Sequence, residues 1–132
     1  MSDSKNFCPL YKLSGKIVHG RGIGKKAGMP TANLEIVPDI KLPELGVYAS
    51  KVYLGGGVFT GVTNVGLRPT VDNDKDISIE TYIIDFDRDI YEEEISLELF
   101  LMLRKQEKFE NMTKLLEQLM KDCTETKKYF GV

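Results

Sequence analysis

The chain has 132 residues, 42% of them hydrophobic, which suffices for one core and is too short for two ordinary domains. With 18 basic and 20 acidic residues the net charge is -2, which excludes the broad electropositive surface of a general nucleic-acid binder and leaves room only for a local basic patch. Two distant cysteines, Cys8 and Cys123, with His19 as the one histidine, exclude a disulfide framework and a zinc cage, and no apolar run reaches membrane-spanning length.

The first ten residues hold no secretory apolar core, so a cytoplasmic location and a single domain over 1–132 are expected, with residues 1–12 as an extension. The alternation of LSGKIVHG predicts a first strand over 13–20. It runs into Gly20, Gly22, Gly24 and Gly28, too dense in glycine for a helix and therefore a loop. After Pro30 the segment TANLEIV, 31–37, resumes the alternation, and GVYASKVYL, 46–54, is a third strand. Gly55, Gly56 and Gly57 then stand at hairpin spacing before VFTGVTNVG, which pairs strands three and four antiparallel. A polar loop precedes ISIETYIID, and an acidic turn precedes EISLELFLML, making six strands over residues 13–104.

Near the end the period changes. Met112, Leu115, Leu116, Leu119, Met120 and Cys123 recur at helical spacing over 111–130, with Asn111 as N-cap. Strands first and one helix last do not suit alternating βαβ units. The fold predicted is mainly β, an antiparallel closed or nearly closed barrel carrying a C-terminal α-helix.

Alternate glycines let several backbone N–H groups turn toward one anion, and Arg21, Lys25 and Lys26 stand among them. The stretch meets Pro30 and a strand rather than a helix, and no G-x-x-x-x-G-K-[ST] occurs, so both common nucleotide fingerprints are excluded. A polyphosphate clamp and a solvated connection both remain open. In extended backbone Thr31 and Asn33 project to one face, two neutral oxygens that suit Mg²⁺ beside a phosphate or, equally, the hydrogen bonds of a turn. Glu80 lies mid-strand on the face of Ser78 and Tyr82, where it is either a solvated carboxylate or, at a pocket mouth, a general base. Arg104, followed by Gln106, Glu107 and Phe109, could hold a planar ligand or seal the barrel end. The carboxylates of 85–94 read as a solvated turn.

Taken in order, GKIVHGRGIGKKAGMPTANLEI, GVYAS, TNVGLRPT, IETYIIDFDRDIY and LRKQEKF resemble the riboflavin kinase family, which also supplies the kinase module of bifunctional FAD synthetases. The resemblance spans about residues 15 to 130 and implies a six-stranded Greek-key barrel that moves the γ-phosphoryl group of Mg-ATP to the ribityl 5′-hydroxyl of riboflavin, giving FMN and ADP. By similarity Thr31 and Asn33 would hold Mg²⁺ with the ATP phosphates, and Glu80 would be the catalytic base. Gly20, Lys25, Lys26 and Tyr91 would line the nucleotide site, and Arg104, Gln106 and Phe109 the flavin site. Small-molecule partners, no nucleic acid, no membrane and a monomer are expected.

Two positions depart from the family pattern. Tyr91-Glu92 stands where Tyr-Gly is common, and where Arg-x-Glu is common Arg104 is followed by Gln106 with Glu107 displaced by one, so that position 106 offers Arg104 no charged partner. They keep open a catalytically inactive flavin- or nucleotide-binding sensor or carrier domain as an alternative. Because the sequence opens on Met1 with no room upstream for a nucleotidyltransferase domain, the product expected is FMN rather than FAD.

Overall fold

A computed structural model describes residues 8–18, 31–37, 41–68, 76–86 and 88–132. The predicted glycine-rich loop, with Gly20, Lys25 and Lys26, lies outside them. Six strands, β1 (Tyr11–Val18), β2 (Ala32–Leu34), β3 (Gly46–Leu54), β4 (Gly57–Arg68), β5 (Asp76–Ile83) and β6 (Glu94–Arg104), precede one helix, α1 (Met112–Phe130). The strands close into an antiparallel barrel in the order β1-β2-β5-β4-β3-β6. Since β3, β4 and β5 are successive neighbours and β6 returns to lie beside β3, the topology is a Greek key.

The β3–β4 hairpin follows from its glycines. Leu54 pairs with Gly57, leaving Gly55 and Gly56 as the two loop residues, and both have positive φ, 56° and 84°, the signature of a type I′ turn. Inward positions of the strands supply the core, with Leu13, Ile17, Tyr48, Val52, Val65, Ile79, Leu97 and Leu99 packed in one cluster. Two boundaries differ from the sequence reading. β1 starts at Tyr11 because Tyr11 and Lys12 already pair with Leu99 and Glu98 of β6. β2 holds only three residues; the alternation continues to Val37, but that side chain is exposed and the ladder ends earlier.

Tyr48 has no exposed surface and donates its hydroxyl to the Glu44 carbonyl. Burial, aided by Tyr11 and Glu44 beside it, pushes its phenol up to about 12. The fold therefore favours the neutral phenol, so this contribution to stability is complete below the ordinary value near 10 and is lost as pH rises toward 12. The expected loss is about 2 to 3 kcal/mol. Urea unfolding at pH 9 and pH 11.5, with Tyr48→Phe as the comparator lacking this dependence, measures it.

α1 covers the outer face of the barrel. Asn111 caps it, its side chain accepting from the Lys114 N–H at 2.9 Å, and Gly131 ends it at φ 75°. Leu119 and Cys123 pack on a second apolar cluster formed by Val47, Val62 and Ile84 with Tyr82 and Leu103. At its far end Phe130 meets the Phe100 ring edge-on at 5.2 Å and carries Lys51 over its face at 4.2 Å. The predicted apolar stripe needs one correction: Met112 and Met120 are exposed, whereas the polar Asp122 and Thr126 are the buried residues of the helix. The reason for Asp122 is a cation beneath it.

Candidate functional site

Cross-strand pairing builds the site. Asn33 of β2 pairs with Glu80 of β5, Glu80 with Asn64 of β4, Asn64 with Val47 of β3, and Val47 with Arg104 of β6. Paired residues share a face, so these five form one row across the outside of the barrel. Thr31, just ahead of β2, falls on the same face as Asn33, and its hydroxyl donates to Glu80 Oε1 at 3.1 Å. Thr31 and Glu80 thus meet although 49 positions separate them.

Between this row and α1 lies a cleft of about 220 Å³. Thr31 and Glu80 stand on its wall with Asn64. Val47, Val62, Leu115, Leu116, Leu119 and Phe109 make it largely apolar, and Arg104, Gln106, Glu107 and Asp122 complete its lining. A half-enclosed apolar slot ending on a carboxylate suits a flat, hydrophobic ligand whose polar end reaches the reacting group.

Arg104 is clamped by α1. Its Nε donates to Asp122 Oδ1 at 3.1 Å and its Nη2 to Oδ2 at 2.9 Å, a fork-to-fork pair, while Gln118 Nε2 donates to the same Oδ1 at 3.0 Å. Glu107 stands 3.7 Å from Nη1, and the guanidinium lies 5.6 Å from the Phe109 ring. The charged neighbour that Gln106 cannot offer is supplied from the helix by Asp122, which the sequence reading did not single out. Gln106 itself accepts from the Leu67 N–H at 3.2 Å and presses its amide on Gly66, where any Cβ would collide with it, so it ties the 105–110 connection to β4.

Glu92 takes the left-handed backbone after all, at φ 69°. Its N–H donates to the Ile17 carbonyl at 2.8 Å, and the Ile17 N–H to the Glu93 carbonyl at 2.9 Å, so the turn is fixed by β1 rather than by its own residue type. Glu92→Gly should therefore stabilise the fold by about 1 kcal/mol, read as a higher urea midpoint at unchanged slope. Tyr91, half-exposed in that turn, is not on the cleft wall; the turn touches β1 near Val18, where the chain enters the glycine-rich segment.

The sequence reading also missed Asn64. Its strand was legible from alternation, but nothing in TNVG marks its amide as facing a cleft. The family model for riboflavin kinase, described as Flavokinase, matches residues 9–130. The chain belongs to the riboflavin kinase family.

Among curated relatives of this riboflavin kinase domain, a bifunctional riboflavin kinase/FMN adenylyltransferase of Listeria monocytogenes is 38% identical over 92% of this chain and 38% of its own length. The RNA-binding riboflavin kinase RibR of Bacillus subtilis is 33% identical over 89% of this chain and half of its own. A solved structure described as a macrolide-efflux protein from Streptococcus pneumoniae superimposes with a TM-score of 0.82 at 32% identity, covering 91% of this chain and 39% of that one. The chain thus spans half or less of the length of these proteins. No helix among the described residues is long and apolar enough to cross a membrane.

Riboflavin kinase chemistry implies a Mg²⁺ shared with the ATP phosphates. No three His, Cys, Asp or Glu side chains gather among the described residues. Thr31, however, gives its proton to Glu80 and so keeps its lone pairs for a cation, and the Asn33 amide lies on the same face. A hydroxyl and an amide oxygen suit an ion that prefers oxygen and is shared with substrate phosphates.

Proposed function

We propose that the chain is a working riboflavin kinase that transfers the γ-phosphoryl group of Mg-ATP to the ribityl 5′-hydroxyl of riboflavin. The observation that carries this reading is the Thr31–Glu80 contact at the wall of the apolar cleft, which puts a metal-type oxygen beside a carboxylate base. The isoalloxazine would lie among Val47, Val62, Phe109 and the α1 leucines, and its ribityl chain would extend toward β5. Glu80 receives the proton of the attacking hydroxyl, and the barrel holds that oxygen in line with the phosphorus. Thr31 and Asn33 would hold Mg²⁺, which when bound offsets charge on the transferring group. Gly20, Lys25, Lys26 and Tyr91 are proposed for the nucleotide, and Arg104, Gln106 and Phe109 for the flavin border. A net charge of -2 supports small-molecule partners over nucleic acid.

Incubation with riboflavin, ATP and Mg²⁺, followed by chromatography of the flavins, tests the proposal. FMN should form with the parent. With Thr31→Ala, turnover should fall and the Mg²⁺ concentration needed for half-maximal rate should rise, by about tenfold, as expected for one lost oxygen ligand in a shared cage. Riboflavin bound and returned unchanged by the parent would favour a flavin sensor instead.

A further inference from the structure

Asn64 stands beside Glu80 on the cleft wall, and its Oδ1 is buried without a hydrogen bond from any described residue. A buried acceptor with no donor is costly, and a few such atoms persist where a ligand supplies the donor. A ligand that brings an O–H or N–H to that point would satisfy it, as would a cation. A phosphate, which presents acceptors, does not satisfy it.

Position narrows the chemistry further. Asn33 and Asn64 flank Glu80 on opposite strands, about 10 Å apart across two strand spacings. The Asn33 side carries Thr31, which follows Pro30 in the chain, whereas Asn64 pairs with Val47 and opens on the apolar slot. A substrate with its ring in that slot and its reacting alcohol at Glu80 must pass its connecting chain over Asn64. From this we infer that Asn64 is a specificity-determining residue for the acceptor, its amide taking a hydroxyl of the polyol chain between the ring and the reacting oxygen. The inference rests on the kinase reading above for the identity of that acceptor.

The test compares riboflavin with lumiflavin, which has the same ring and a methyl group in place of the ribityl chain. Affinities are measured by fluorescence quenching with Mg-ADP present, on the parent, on the near-isosteric Asn64→Leu and on Asn64→Ala, which replaces the leucine variant should that one not fold. Leaving one buried polar contact unmade should weaken riboflavin by about 10- to 100-fold while lumiflavin stays within about twofold. Equal losses for both flavins would mean that Asn64 shapes the slot, and no loss would mean that it does not meet the chain; either overturns the inference. An increased Mg²⁺ requirement for turnover at unchanged flavin affinity would assign the oxygen to the cation and overturn it as well. A parent that makes FMN while Asn64→Leu behaves like it defeats this inference alone. A parent that binds neither flavin defeats the kinase reading together with it.

Discussion

Glu80→Gln should lower turnover by about 10²- to 10⁴-fold, the usual cost of removing a well-placed general base, while leaving thermal stability nearly unchanged. Glutamine keeps the length of the side chain and an oxygen that can still accept from Thr31, so the contact between β2 and β5 survives. It cannot take up the proton that the ribityl hydroxyl would release in the proposed transfer. Glu80 is half-buried on the outer row, away from the packed interior, which is why folding should tolerate the change. Rates of FMN formation and a thermal melt on the same preparation decide the matter. Near-parental turnover would remove Glu80 from the role of base, and a collapsed melting curve would show that it holds the barrel together instead.

The second large effect concerns stability. Arg104→Leu leaves Asp122 facing an apolar neighbour, with its side chain only 4% exposed and its fork of donors gone. Breaking a buried pair by removing one partner costs about 3 to 5 kcal/mol; since the Arg104 side chain is itself 21% exposed, a loss near the lower end, about 3 kcal/mol, is expected. Gln118 softens the change by keeping one donor on Asp122. Replacing both partners, Arg104→Leu with Asp122→Leu, should recover most of that loss, because no charge is then stranded under the helix. Urea unfolding of the two single variants and the double variant gives the coupling directly. Additive losses would show that the ion pair contributes nothing beyond its separate side chains. Loss of the pair should also loosen α1 over the cleft, since Asp122 is the helix's charged anchor on the strand that ends at Arg104.

Much of this architecture could be read along the chain. The hairpin at Gly55 and Gly56, the six strands, the capped helix and the same-face placement of Thr31 and Asn33 all depend on local rules: which residues tolerate positive φ, a period of two in strands, a period near 3.6 in helices. The riboflavin kinase family was legible for the same reason, since its motifs are short and contiguous. Lys25 and Lys26 were read in the same way, but they fall outside the described residues.

What the sequence left undecided depends on partners far apart in it. TNVG shows a strand, and only the register that sets Asn64 between Glu80 and Val47 turns its amide into a wall of the cleft. The helical stripe correctly found the covered side but not Asp122, because a periodicity of apolar residues cannot reveal that a cation waits beneath. That cation is outside the barrel owing to an irregularity of register: Tyr48 pairs with Met102, yet Val47 pairs with Arg104, so the extra residue at Leu103 turns Arg104 toward α1 instead of into the core. Composition and spacing determined the elements and the family. Register, a bulge and a buried ion pair, each set by contacts between distant segments, decided where the site's side chains meet.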